Sequence, residues 1–432
     1  MLQTNIVDAR VTFHVQPLLR PLVLSSGSIT QLTEAQVQVT VQVGSREAVG
    51  RGSIYLSDLW AWPSPTLSHE FRDGALHDLC QRIAEDLWDL CGREAAHPLE
   101  LGLRLHDQVL QHQMNRIPIL AQAMCLSPFD AALHDGVGQA LERSAFSFYG
   151  EETPIPSADR FFPGQGAVAA VAALLRKEPL HALPAWYVVG KHDDLESEVK
   201  PWVMSRGYRC LKIKILGQDN VEDVARTVQV YRAAKRWGIG FPRLSVDANE
   251  ANPDAQSVLD YLQQLKETDQ GAYAALEYLE QPTRRDIVKA RHDWRAVGAL
   301  KPVMLDEGLT SLELLEEARE QSWSGLALKT CKGHSFVLVA AAWAHQHGML
   351  LSLQDLTNPG YSAIHAALMA AFVPTINGVE LNSPQFTPAA NAPWLPPQGR
   401  LAQLLAPMDG MHRLPEIPVG LGASLCNEEI TT

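Results

Sequence analysis

From position 185 onward the apolar positions fall in short, nearly continuous runs separated by longer stretches of helix-forming composition. The runs cover 185–190, 210–215, 244–249, 276–281, 302–307, 325–330, 349–355 and 378–382. Between them, 221–237, 254–268, 311–320, 335–347 and 362–372 read as helices, with Gly240 and Gly348 as stop signals. Strands alternating with helices imply βαβ units and a parallel sheet. Eight such units predict an α/β chain with a (β/α)8-type barrel over 185–392. An open doubly wound sheet is the alternative, but no Gly-rich phosphate turn follows the first run.

The pattern before position 150 is different. Positions 11–15, 35–43 and 50–55 read as meander strands, with turns at Ser26-Gly27-Ser28 and Gly44-Ser45, and 76–90 and 117–141 read as helices. Strands followed by helices predict a separate α+β domain over 1–150. Residues 151–184 carry Pro154, Pro156, Pro163, Pro179 and Pro184 and read as a linker or insertion with a short helix. Residues 393–432 are expected to pack back on the first domain.

Composition narrows the function classes. The 432 residues are 46% hydrophobic and 20% charged, with a formal net charge of −13. An acidic chain argues against a nucleic-acid partner. No apolar run reaches the length of a membrane span. The six cysteines form no CxxC pair and the N-terminus lacks a signal-peptide pattern, so a cytoplasmic enzyme with reduced thiols is expected. A homo-oligomer is expected as well.

The chemistry lies where the barrel strands end, the active face of such barrels. The second run carries Lys212 and Lys214, the third ends in Asp247-Ala248-Asn249, the fourth in Glu280-Gln281-Pro282, the fifth in Asp306-Glu307, the sixth in Lys329 and the seventh in Gln354-Asp355. The eighth carries Glu380 and Asn382. Asp247, Glu280 and Asp306 lie on three consecutive strands and can converge. Convergent carboxylates repel unless a cation sits among them, and hard oxygen donors suit magnesium. A single strand-end aspartate is often only a helix cap; three in successive units are not explained that way.

Lys212 and Lys214 alternate along one strand and share the inner face. Lys329 lies on the strand opposite in a ring of eight. A substrate on the metal would meet a lysine on either side, which suits proton removal and proton delivery at one carbon. A neighbouring cation and burial are expected to lower a lysine pKa toward working pH. Lys332 reads either as a charge supporting the site's ligands or as a solvated charge, the second being preferred, and Cys331 as a small buried thiol rather than a group near the site. His345 and His347 do not share a helix face. Trp60 and Trp62 leave two readings open, a lid over an apolar part of the substrate or packing between domains.

These motifs resemble the enolase superfamily and, within it, the mandelate racemase/muconate lactonizing enzyme family. The resemblance rests on Lys212-x-Lys214, Val246-Asp247-Ala248-Asn249, Leu279-Glu280-Gln281-Pro282, Leu305-Asp306-Glu307 and Leu328-Lys329-Thr330-x-Lys332-Gly333. The segment from Ser127 to Gly138 is similar to the family's helix closing its capping domain. The resemblance implies that the α+β domain caps the barrel and that loops near 24–30 and 57–63 select the substrate. It also implies Asp247, Glu280 and Asp306 as Mg2+ ligands, with Mn2+ as a substitute, and Lys214 and Lys329 as the acid/base pair. Lys212 would neutralise the substrate carboxylate, and Asn249 and Glu307 would support the metal ligands. The reaction implied is removal of the α-proton of a small carboxylate substrate to give an enediolate.

The chain departs from the family in four places. The Asp247–Glu280 spacing is long, Gly333 is followed by His334 rather than a second glycine, the eighth strand lacks the paired aspartates of dipeptide epimerases, and 151–184 is extra. Trp60, Trp62, Asp355, Glu380 and Asn382 are candidates for substrate selection. The leading expectation is a racemase, epimerase or cycloisomerase. A lyase is the alternative, either a syn-dehydratase of acid sugars or an o-succinylbenzoate synthase-like enzyme. The absence of a histidine beside Gln354-Asp355 favours the lysine group over the sugar dehydratases. A non-catalytic carboxylate-binding protein and a metal-free Schiff-base aldolase are readings from other classes.

Overall fold

A computed structural model describes residues 2–24, 27–111, 117–150, 153–391, 402–414 and 416–426. Part of the 24–30 loop, Ser25 and Ser26, lies outside these, as do Glu151, Glu152 and all of 392–401. Among the described residues no helix is long and apolar enough to cross a membrane.

The N-terminal strands are longer than the pattern predicts. β1 (Thr4–Leu24), β2 (Gly27–Val43) and β3 (Arg46–Tyr55) form one antiparallel sheet in that order. Ala35, Val37, Val39, Val41 and Val43 alternate inward along β2. Their face is covered by the helix Ile119–Leu141, which is buried almost throughout. Gly50 and Gly52 on β3 permit this close approach: a Cβ there would fall 1.9 Å from the Ala132 carbonyl oxygen and 2.2 Å from that of Pro128. Pro128 interrupts the helix ladder, and the Ser127 hydroxyl donates to the Met124 carbonyl instead, at 2.8 Å. The helix Pro98–Gln111 was not expected from the pattern.

The barrel core is a seven-stranded parallel sheet. After β4 (Ala182–Pro184) come β5 (Trp186–Val189), β6 (Cys210–Lys214), β7 (Arg243–Asp247), β8 (Leu276–Glu280), β9 (Val303–Leu305), β10 (Gly325–Lys329) and β11 (Leu350–Gln354), paired in chain order. The eighth predicted run makes only single bridges, Val379 to Ala185 and Glu380 to Gln354, which join the two edges. Side-chain amides take over the missing ladder. Asn377 exchanges two hydrogen bonds of 3.0 Å with the Leu353 backbone, and Gln385 exchanges two of 3.0 and 2.7 Å with that of Val188. Each amide acts as a surrogate peptide for an edge strand.

Residues 153–184 contain two short helices, Pro156–Asp159 and Ala167–Leu174, the second lying against the barrel helix His334–Gln346. β12 (Met411–Arg413) pairs antiparallel with β4. Further on, Leu421 donates its N–H to Asp135 on the long N-terminal helix at 2.7 Å.

A buried hydrogen-bond chain locks the N-terminal layer to the barrel. Ser335 Oγ donates to Asp130 at 2.8 Å and meets His134 Nε2 at 2.8 Å. Tyr149 bridges His134 Nδ1 at 2.7 Å and His334 Nε2 at 2.6 Å, and His334 Nδ1 meets His365 Nε2 at 2.6 Å. Burial holds His334 well below the usual imidazole range and brings His365 down to about 3. With one proton per ring, a single direction satisfies every contact, from His365 through His334, Tyr149, His134 and Ser335 to Asp130. Replacing Tyr149 by Phe leaves a ring donor and a ring acceptor unpaired, which costs about 2 kcal/mol or more. A lowered thermal midpoint in Tyr149→Phe is expected; an unchanged midpoint would show that the chain contributes nothing to stability.

Candidate active site

The parallel register brings the strand-end groups together. Asp247 pairs with Glu280 across β7 and β8, and Asp306 follows β9 directly. All three are buried to 1% exposure or less. Lys212 and Lys214 point inward from β6, and Lys329 ends β10 on the far side of β7–β9.

Lysines and carboxylates interlock. Lys214 Nζ donates to Asp247 Oδ2 at 2.6 Å and to Asn249 Oδ1 at 3.0 Å. Lys212 sits deeper, 2.8 Å from Glu280, 3.2 Å from Asp247 and 3.3 Å from Glu380. Lys329 Nζ is bonded to Asp306 and lies 4.9 Å from the ring centroid of Trp60. Burial works against ionisation of Asp247 and Asp306, but the lysines outweigh it and hold both carboxyls below the usual range. Glu280 goes the other way. Burial, opposed by Lys212 and reinforced by Asp247 and Asp306, pushes it up to about 8.

One expectation fails. Lys332 is not solvated: it is fully buried and donates to the Asp306 carbonyl at 2.6 Å and its carboxylate at 3.1 Å. The lowering expected of a lysine rests on a neighbouring cation together with burial; on Lys329 burial alone lowers, and Asp306, Glu280 and Glu307 outweigh it and raise the ammonium.

The remaining candidates divide. Asn249 adopts positive φ and donates its backbone N–H to Asp247 Oδ1 at 2.8 Å, aiming that carboxylate. Glu307 accepts from Trp60 Nε1 at 2.8 Å, while its other oxygen is buried without a hydrogen-bond partner; burial, with Asp306 adding, pushes it up to about 7. Trp60 thus reaches both Glu307 and Lys329 from the N-terminal layer. Trp62 does not enter the site and packs edge-on against Phe71. Asp355, Glu380 and Asn382 line one pocket with Trp60, Lys214 and Lys329. Asn382 donates to Glu380 at 2.9 Å, and burial pushes Asp355 up to about 7.

Two residues had no role assigned from sequence. Gln354 donates to Glu280 and accepts from Lys212 at 3.3 Å, and its signal was the one that marked the others, a polar group ending an apolar run. Gln281 accepts the backbone N–H groups of Asp306 at 2.9 Å and Gly308 at 3.1 Å and so fixes the Asp306 turn.

Asp247, Glu280 and Asp306 are hard oxygen donors suited to a divalent cation. As they lie, no three His, Cys, Asp or Glu groups among the described residues are disposed around one metal position. Their oxygens are engaged by ammonium groups instead. The charge count still fits a cation: six buried carboxylates (Asp247, Glu280, Asp306, Glu307, Asp355, Glu380) meet four lysines (Lys212, Lys214, Lys329, Lys332), so the fully ionised set carries two surplus negative charges.

A curled sheet of seven parallel strands, its edges joined by single bridges and with lysines and carboxylates at its C-terminal end, defines a class of α/β enzyme fold. The profile of the family described as enolase C-terminal domain-like matches residues 194–430, and the chain belongs to that family. Solved structures agree in fold. The muconate lactonizing enzyme from Pseudomonas fluorescens, complexed with muconolactone, is 19% identical with a TM-score of 0.64, over 97% of this chain and 96% of that one. An enolase from Bradyrhizobium, complexed with magnesium and mandelic acid, is 17% identical with a TM-score of 0.64 over the whole of both chains. The N-succinyl Arg/Lys racemase from Bacillus cereus is 17% identical with a TM-score of 0.63, over 99% and 98%. Comparison with curated protein sequences found no match.

Lys332 offers a direct check on the charge network. Lys332→Met strips a buried ammonium from Asp306 and is expected to cost about 3 kcal/mol or more. The thermal midpoint measures this, and a neutral substitution would restore the solvated reading.

Proposed function

We propose that this chain is a magnesium-dependent enzyme that removes the proton next to the carboxylate of a small acid and returns one at the same or a conjugated position. It would act as a racemase, epimerase or cycloisomerase. The observation that carries this reading is the placement of Lys214 and Lys329 across one cavity, with Asp247, Glu280 and Asp306 on the three strands between them. Asp247, Glu280 and Asp306 would hold the cation. When bound, it supplies stabilisation for the negative charge that builds on the substrate carboxylate as the α-proton leaves.

The protein's own groups do the rest. Lys212, fixed by Glu280, Asp247 and Glu380, presents positive charge from the floor toward the substrate carboxylate. Lys214, steadied by Asp247 and Asn249, faces one side of the α-carbon. Lys329, steadied by Asp306 and the Trp60 ring, faces the other. One takes a proton and the other gives one, so the pair acts as a single acid/base unit whose direction follows the handedness of the substrate. A lysine becomes a base only when the carboxylates that hold it charged turn to another partner. Burial of every member excludes water from this exchange. The family membership, and relatives that include a racemase, a lactonizing enzyme and a magnesium complex, support the same class.

Two outcomes are expected. In deuterium oxide with Mg2+, a panel of 2-hydroxy acids, N-acyl amino acids and unsaturated diacids should include acids whose α-proton exchanges, read by proton NMR. Chelation should stop the exchange and Mg2+ restore it. Exchange without loss of atoms supports isomerisation, and loss of water identifies a lyase. Exchange indifferent to chelation, or none on any acid, contradicts the proposal. Independently of activity, Mg2+ at a hundred times its Kd should stabilise the protein by about 2.7 kcal/mol, and Asp306→Asn should abolish most of that thermal shift.

A further inference from the structure

The pocket between the lysines adjoins, past Lys214, a second lobe, which shares Leu22, Val188 and Lys214 with the first. Its wall is cationic. Arg20 enters from β1 and Lys191 from the turn that follows β5.

Arg20 is placed there by an irregularity in the sheet. Pro17 faces Gln31 and Leu22 faces Ile29, so the residues from Leu18 to Pro21 stand opposite Thr30 alone. Such a bulge breaks the alternation of the ladder and re-aims a side chain, and bulges gather beside active sites. Pro21 has no N–H to lose at the break.

Arg20 is only partly committed. Its Nη2 donates to the Tyr187 hydroxyl at 3.1 Å, and its Nη1 lies 3.4 Å from Asp193 Oδ2, a long contact. Asp193 Oδ2 also accepts the Gly190 N–H at 2.8 Å. Arg20 Nε is buried with no hydrogen-bond partner. The guanidinium lies 5.1 Å from the Phe386 ring centroid, which fixes its plane. Lys191 is half-buried and makes no ion pair or hydrogen bond among the described residues. Burial lowers its ammonium, Asp223 opposes this and Lys214 adds to it. Against Arg20, Lys191 and Lys214, Asp193 is the one carboxylate lining this lobe among the described residues.

A buried guanidinium N–H without a partner is costly unless an anion meets it, and the half-buried Lys191 ammonium stands beside it with no ion pair among the described residues. We infer that Arg20 and Lys191 bind a second carboxylate of the substrate, at the end remote from the carboxylate that reacts. The substrate class is then a diacid, with one carboxylate over Lys212 and the other in the Arg20 lobe, the reacting carbon lying beside Lys214. The fork of a guanidinium suits a planar carboxylate, and Lys191 adds an unshared charge. This inference rests on the proposed function for the position of the first carboxylate.

Calorimetry on the Mg2+-loaded protein tests it without knowledge of the substrate. The probes are α,ω-dicarboxylates from succinate to suberate, each against the monocarboxylate of equal chain length. At least one dicarboxylate should bind about tenfold or more tightly than its partner, and Arg20→Gln with Lys191→Gln should bring that pair to equal affinity. Lys191→Gln alone, at a half-exposed turn, should lose part of the preference and guards against misfolding of the double variant. No preference at any length, or a preference that survives the double variant, overturns the inference. The two readings fail separately. A dicarboxylate preference without any α-proton exchange leaves the lobe assigned and removes the proposed reaction, and exchange without preference does the opposite.

Discussion

Every feature of the site follows from burying many charges of both signs at one end of a parallel sheet. A carboxylate removed from water is costly unless it is paired and hydrogen-bonded. Asp247, Glu280 and Asp306 arrive side by side because consecutive parallel strands are in register, and their mutual repulsion must be met locally. Four lysines meet it. Lys212 and Lys332 are held from below and behind, while Lys214 and Lys329 face the cavity from opposite walls. The same constraint explains Gln354 and Gln281, neutral amides that supply donors or accept backbone N–H groups where another charge would unbalance the set.

The scaffold around this charge network is built to keep it still. Asn377 and Gln385 complete the strand ladder with side-chain amides where the eighth run is too short to do so. The His365-to-Asp130 chain passes through His334–Ser335, two residues beyond the Lys329–Lys332 turn, and binds that segment to the long N-terminal helix. Trp60 closes the other side, touching Glu307 and Lys329 at once. The N-terminal layer therefore contributes to the site both through a rigid core joint and through residues at the cavity wall.

Much of this was legible in the chain because strand-end polar residues after apolar runs are a strong local signal. The barrel strands, the three carboxylates, the opposed lysines and Gln354-Asp355 all carry it. What was not legible depended on tertiary contact. Lys332 follows a strand end and reads as exposed, and only the fold of its turn sends it to Asp306. The carboxylates that raise the Lys329 ammonium lie closer to it than spacing can tell. The helix Pro98–Gln111 hides behind Leu99, Leu101, Leu103 and Leu105, a period of two that imitates a strand; burial nearly all round makes it a helix. Arg20 gives no signal because a bulge, not a pattern, brings it in. His334 was visible only as a departure from a glycine, and its partners come from three other segments.

The central claim is that Lys214 and Lys329 serve opposite faces of one carbon. Single-enantiomer α-proton exchange in deuterium oxide tests it most directly, with Lys214→Ala and Lys329→Ala each assayed on both hands of an acid that the parent protein exchanges. Each variant should lose exchange on one enantiomer by about a hundredfold or more while retaining it on the other, and the two variants should fail on opposite enantiomers. Loss on the same enantiomer in both variants, or exchange unchanged in either, would contradict the account.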